Sequence, residues 1–492
     1  MVNTARVHCE GGRLDRARLI LYRVGALLLV ILLTSPQGRG YSVLTHEQVV
    51  DLLWTEQMAP MILARFPGTT PDGLKQAHSY AYGGCVLQDM GYYPHGSHYF
   101  SDLLHYVRTG DFVVNLLKDA TDANEYAFAL GALAHYAGDT TGHPVVNQVT
   151  AMQYPKLAAK YGPAVTYDED PTAHVRVEFG FDVAEVAKGN FQEDDYRQFI
   201  GFHVSHQLLE RAFRDTYGFE VKDVLPDEQG NINSFRNDVS KLIPEMTRVA
   251  WASYGKDIQK AQPDATEKKF RYRMSKVEYE KNFGKGYQKP TFGERFVAVI
   301  VRILPKIGPL KALAVKMPNA QEQDMYVKSV NATVDDFRRL LQQVAAAEPT
   351  LNTLTLPQMD FDTGKPTQRG EYMLSDETYA KLLLEVTKPQ APPIPVDLRD
   401  NLLAYYAEPN VHGYLETKQP EVWAHVQANL ALLKQAQPAA VKVSDSPTIL
   451  QTPSQPLPTA GQAAQSPQAV TPTGPAAPDT PPAVQKGSPA NP

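Results

Sequence analysis

The stretch Leu133-Ala134-His135-Tyr136-Ala137-Gly138-Asp139-Thr140-Thr141-Gly142-His143-Pro144 constrains this chain most. It sets two imidazoles and a carboxylate within about two helical turns. The preceding Glu125-Tyr126-Ala127-Phe128-Ala129-Leu130 reads as helix, which places His135 and Asp139 at i and i+4 on one face. His143 follows one turn later, beside the Gly142/Pro144 breaker expected to end the helix. His174 and Glu178 repeat the i, i+4 pairing. Two such pairs so close together have the spacing of metal ligands on helices.

The rest of the chain reads as all-α. Thr45 is a candidate N-cap for a helix reaching Trp54, with Glu47 and Gln48 in its first turn. Pro71-Asp72-Gly73 reads as a turn, and 83–96 as an aromatic loop. Helices are expected over 101–107, 111–117, 125–139, 181–187, 196–217, 244–258, 320–347, 396–407 and 420–435. Another, over 376–386, would be capped by Ser375. Phe361-Asp362-Thr363-Gly364-Lys365-Pro366 is a turn. No period-two alternation is long enough to propose a sheet. A basic, aromatic stretch over 264–330 reads as a strut with solvated Lys and Arg, or as a segment lying on a membrane surface. After Gln437 the chain is rich in Pro, Ala, Gln, Ser and Thr and has no aromatic residue, so 437–492 is expected to be a disordered tail.

Residues 1–40 read as an export signal: Arg13, Arg16, Arg18 and Arg23, an apolar run over 25–33, then Gly38-Arg39-Gly40. Cleavage leaves Tyr41 first, and an uncleaved signal would be a membrane anchor. The apolar run falls short of the ~20 residues a span needs. The domain order is then signal (1–40), catalytic helical domain (41–220), a further helical region that completes the same domain or stands apart (221–436), and tail. A net charge of −6 gives no global attraction to nucleic acid or anionic lipid. Two cysteines, Cys9 and Cys85, exclude a disulfide framework, so bound metal would serve as a staple.

Ten of the thirteen histidines fall between His46 and His206. The candidate ligands are His46, Asp89, His98, His135, Asp139, His143, His174 and Glu178, with the free amine of Tyr41. Imidazole and carboxylate without thiolate suit Zn²⁺ best, with Mn²⁺ and Fe²⁺ compatible by ligand type. His203 and His206, at i, i+3, read as a helix-face pair rather than ligands. Tyr92, Tyr93, Tyr99 and Phe100 form a cage for a quaternary ammonium group, a platform for a base, or plain core.

Gly96-Ser97-His98-Tyr99-Phe100, His135-Tyr136-Ala137-Gly138-Asp139, His143 and His174-Val175-Arg176-Val177-Glu178 together resemble the zinc-dependent phospholipase C family, related in fold to the zinc-dependent single-strand nucleases. The likeness covers residues 41–220. It implies an all-helical bundle with up to three zinc ions. Asp89, His98, His135 and Asp139 would hold one, and His143, His174 and Glu178 a second. The Tyr41 amine and carbonyl, His46 and a bridging Asp139 would hold the third. The interval from Asp89 to His98 is shorter than the family's, which leaves His95 a rival for that place. Glu178 resembles the phospholipase branch, where the nucleases carry aspartate.

The resemblance implies hydrolysis of phospholipids to diacylglycerol and a phosphorylated headgroup, with Asp89 orienting or deprotonating the attacking water. A phospholipid or membrane surface is the expected partner, with no stable nucleic-acid partner. Two other readings stay open: a nuclease or other phosphodiesterase, and a non-catalytic zinc-stabilised envelope or binding protein.

Overall fold

A computed structural model describes residues 43–93, 96–188, 203–236, 259, 316–407 and 413–435. Among these the secondary structure is helical apart from one two-stranded hairpin, so the all-α expectation holds. The first half comprises α1 (Val43–Leu53), extended by a π-helical turn (Trp54–Met58), α2 (Ala59–Arg65), α3 (Pro71–Cys85), α4 (His98–Tyr106) and α5 (Thr109–Asp119). It continues with α6 (Ala123–Gln153), α7 (Pro155–Tyr161), α8 (Pro171–Lys188), α9 (His206–Tyr217) and α10 (Val221–Val224).

Local chemistry sets several of these starts. Thr70 accepts a hydrogen bond from Gly73 N with Pro71 in the first turn, so Pro71-Asp72-Gly73 opens α3 instead of forming a turn. Asp122 Oδ1 caps α6 by accepting from the amides of Asn124 and Glu125 at 2.8 Å each. α1 begins at Val43, ahead of the expected Thr45 cap. Asp182 of α8 accepts instead from Leu44 N at 3.2 Å and from the Thr45 hydroxyl at 2.7 Å, a cap supplied from another helix.

α6 is the central element, and it does not stop at Gly142/Pro144. It runs through Pro144 to Gln153. A proline inside a helix removes one backbone bond and costs about 3 kcal/mol; here that cost is offset by burial along almost the whole helix. Glycines bring α3 and α6 backbone to backbone. A Cβ on Gly84 would lie 1.9 Å from Phe128 O, and one on Gly131 2.0 Å from Ala81 O.

The second half begins with α11 (Ala320–Ala347), opened by a reciprocal Asn319/Glu322 capping box. The hairpin β1 (Met359–Asp360) and β2 (Lys365–Pro366) follows, antiparallel with Met359 opposite Pro366. Then come α12 (Met373–Val386), α13 (Val396–Tyr405), α14 (Tyr414–Lys418) and α15 (Pro420–Gln435). α12 starts before Ser375, whose hydroxyl donates to Asp360 Oδ2 at 2.5 Å and is not a cap. The main core joins apolar side chains from Val43 through Leu433. A smaller cluster of Val146, Val149, Val177, Phe181, Tyr326 and Val330 packs α6, α8 and α11 together.

No helix of the described residues is long and apolar enough to cross a membrane. The signal over 1–40, Tyr41, His95, the helix over 244–258 and most of the basic stretch lie outside the described residues. The tail does too.

Candidate metal centre

Because α6 continues past Pro144, His135, Asp139 and His143 stand at i, i+4 and i+8 of one helix, all fully buried. α8 presents His174 and Glu178 the same way, with Nε2 of His174 2.7 Å from Glu178 Oε1. α1 contributes His46 and α4 contributes His105. Asp89 comes from the tight turn after α3. Two groups of ligand atoms result: Asp89, His105, His135 and Asp139, and then His143, His174 and Glu178.

Asp139 lies between neighbours on both sides. Its Oδ2 is 2.9 Å from His135 Nε2 and 3.4 Å from His105 Nε2, while Oδ1 is 3.3 Å from His46 Nε2 and 3.6 Å from His143 Nε2. Asp89 Oδ1 is 3.3 Å from His105 Nε2, and its Oδ2 3.9 Å from His46 Nε2. The His143 Nε2 to Glu178 Oε1 distance is 4.0 Å.

These residues fit a cation. Both Asp139 oxygens, Asp89 Oδ1 and the Nε2 atoms of His105, His135 and His143 are buried and make no hydrogen bond. Leaving such atoms unsatisfied is costly unless something positive sits among them. The opposite ring nitrogens are occupied: His105 Nδ1 donates to Ser101 O at 2.8 Å, His135 Nδ1 to Cys85 O at 2.9 Å and His143 Nδ1 to Asp362 Oδ1 at 3.1 Å. Protonation at Nδ1 leaves the Nε2 lone pair aimed inward, the tautomer a metal ligand requires.

The electrostatics of the protein alone are those of a cation site. Burial would lower the His105 imidazole, but Asp139 and Asp89 beside it push it up to about 10. Burial would raise the Asp139 carboxyl, yet the neighbouring His135, His143 and His105 hold it well below the usual carboxylate range. His46 moves the other way, lowered by burial and by His135, on which its ring stacks at 4.2 Å.

Of the sequence-predicted ligands, the structure brings together His46, Asp89, His135, Asp139, His143, His174 and Glu178. It does not bring in His98. That residue is the exposed first residue of α4, its ring edge-on to Tyr92 at 5.7 Å. His105, two turns deeper on the same helix, stands in its place. The short Asp89 to His98 interval is a signal that could have pointed to a later histidine; in the sequence it leaves His95 a rival, and His95 lies outside the described residues.

Sequence reasoning also missed Asp362 and Asp182, one reaching His143 from the hairpin and the other anchoring α1. The aromatic quartet is mostly core: Tyr92, Tyr93 and Phe100 are buried, Tyr93 against Phe235 and Phe100 against Phe213. His203 stacks on Tyr80 and His206 bonds Glu228, so neither joins the cluster.

Residues 45–224 match the family model described as zinc dependent phospholipase C. No curated protein and no solved structure matches the chain.

Proposed function

We propose, from the match of residues 45–224 to the zinc dependent phospholipase C family model, that this protein hydrolyses phospholipids at the phosphodiester bond to glycerol, releasing diacylglycerol and a phosphorylated headgroup. The observation that carries the reading is the convergence of buried, unbonded ligand atoms on Asp139. Asp89, His105, His135 and Asp139 would hold one zinc ion, and His143, His174 and Glu178 another. His46 and Asp139 Oδ1 face a third position.

The chemistry that zinc supplies when bound is hydroxide at neutral pH and neutralisation of phosphoryl charge. The chain's own part is positional. Asp89, whose carboxylate lies among the ligand atoms, would also accept the proton of the attacking water. Ser101 O and Cys85 O lock the rings of His105 and His135, so these two do not shuttle protons through Nδ1. The oxygen of diacylglycerol leaves as the P–O bond breaks and takes a proton from solvent.

In this reading the chain is exported and cleaved before Tyr41, whose amine and carbonyl then complete the set with His46. The charged and apolar N-terminal runs support it. So does the hold of Asp182, one turn beyond Glu178 on α8, on Leu44 N.

The test is hydrolysis of phosphatidylcholine and phosphatidylethanolamine vesicles by zinc-loaded protein, with diacylglycerol measured beside cleavage of single-stranded DNA and RNA. Lipid hydrolysis that EDTA abolishes and Asp139→Asn lowers more than about a hundredfold, beyond the range of outer-shell losses, is expected. Cleavage of nucleic acid with intact lipid overturns the reading.

A further inference from the structure

We propose that Asp362 is a positioning residue of the metal centre: a carboxylate supplied from outside the family-matched segment, which fixes the His143 ring so that Nε2 faces Asp139 and Glu178. The proposal rests on the reading of this cluster as a zinc centre. Among His105, His135 and His143, it is His143 whose Nδ1 donates to a carboxylate; the other two donate to main-chain carbonyls. A carboxylate acceptor fixes the tautomer and makes the imidazole a more basic ligand.

The hairpin is built to deliver that group. Asp362 is fully buried, and its charge is met by donors: the Tyr106 hydroxyl at 2.8 Å and the Tyr372 hydroxyl at 2.6 Å, both on Oδ2, opposite the oxygen that takes His143. Asn147, one turn after His143 on α6, donates to the main-chain oxygen of Asp362 at 2.8 Å. Gly364 has a left-handed φ of 65°, and a Cβ there would lie 2.4 Å from Thr140 O and 2.7 Å from Pro144 Cγ. The turn therefore sits directly on α6 at its proline. Phe361, the residue before Asp362, donates its amide to His105 O at 3.1 Å and rests its ring on His105 and His135 at 5.3 and 5.9 Å. Two adjacent residues thus reach both ligand groups.

The test uses the full chain. Asp362→Asn, close in shape, and Tyr372→Phe, which removes one donor to Asp362, are compared with wild type and His143→Ala. Zinc affinity is measured by competition with a chromophoric chelator, absorption is recorded on the Co²⁺-substituted protein, and the apo forms are melted. Asp362→Asn is expected to weaken one zinc by about 10–100-fold and to shift the cobalt bands, with a smaller loss in the same direction for Tyr372→Phe. Wild-type zinc affinity and cobalt spectrum in Asp362→Asn overturn the proposal, even where its apo form melts lower. If His143→Ala loses zinc in that experiment, the zinc-centre reading stands without Asp362. If His143→Ala also keeps its full zinc complement, both fall.

Discussion

At Asp139 a single carboxylate faces four imidazoles, two on each oxygen. The i, i+4 pairs on α6 and α8 were legible in the sequence because helix geometry alone puts their members on one face. His105 was not, because its role depends on where α4 starts. A start at His98 leaves that residue outside, exposed, and carries His105 to the ligands two turns later. The expected contrast is direct: His105→Ala loses bound zinc and hydrolysis, while His98→Ala keeps both to within a factor of about two or three, the scatter of surface substitutions. Zinc counted by atomic absorption on the two purified variants checks it, and the reverse ranking would restore His98 to the site. Asp362 was illegible for a different reason: it meets His143 across 219 residues of chain, and no local pattern encodes such a contact.

α6 shows where a local rule yields to packing. Gly142 and Pro144 are breakers by intrinsic preference, but the helix buries residues along nearly its whole length, and that burial outweighs one missing backbone bond. Its neighbours are fitted as closely. With Gly131 lying against Ala81 O and Gly84 against Phe128 O, Gly131→Ala forces α3 and α6 apart and is expected to destabilise by about 3 kcal/mol or more, at the upper end for overpacking. Urea unfolding of the metal-free variant measures this, and a change under about 0.5 kcal/mol, the surface-substitution range, would mean the helices are not held at this distance. Helix existence was legible here and helix ends were not: the helices from Val43 and Pro71 start on Asp182 and Thr70, and the helix from Met373 starts ahead of the expected Ser375 with no side-chain cap.

On the scale of the whole molecule, the core extends from Val43 to Leu433 without a disulfide among the described residues, where Cys85 is buried and free. Ligands drawn from α1, α4, α6 and α8 make zinc a cross-link between helices distant in sequence. Binding to the folded form alone stabilises by mass action, about 4 kcal/mol at a thousandfold excess over Kd. Chelation is therefore expected to lower the melting temperature by several degrees while the far-ultraviolet helical signal at 25 °C is retained, since the apolar core does not depend on the ions. Equal melting with and without EDTA would sink this. The hairpin's contribution also has a schedule. A ribosome makes His143 first and Asp362 219 residues later, about 10–40 s afterwards at typical elongation rates. Once Glu178 has been made, the nascent chain holds every described ligand of both groups, yet until Asp362 follows it lacks the residue that orients His143, so its final affinity for zinc is set late in synthesis.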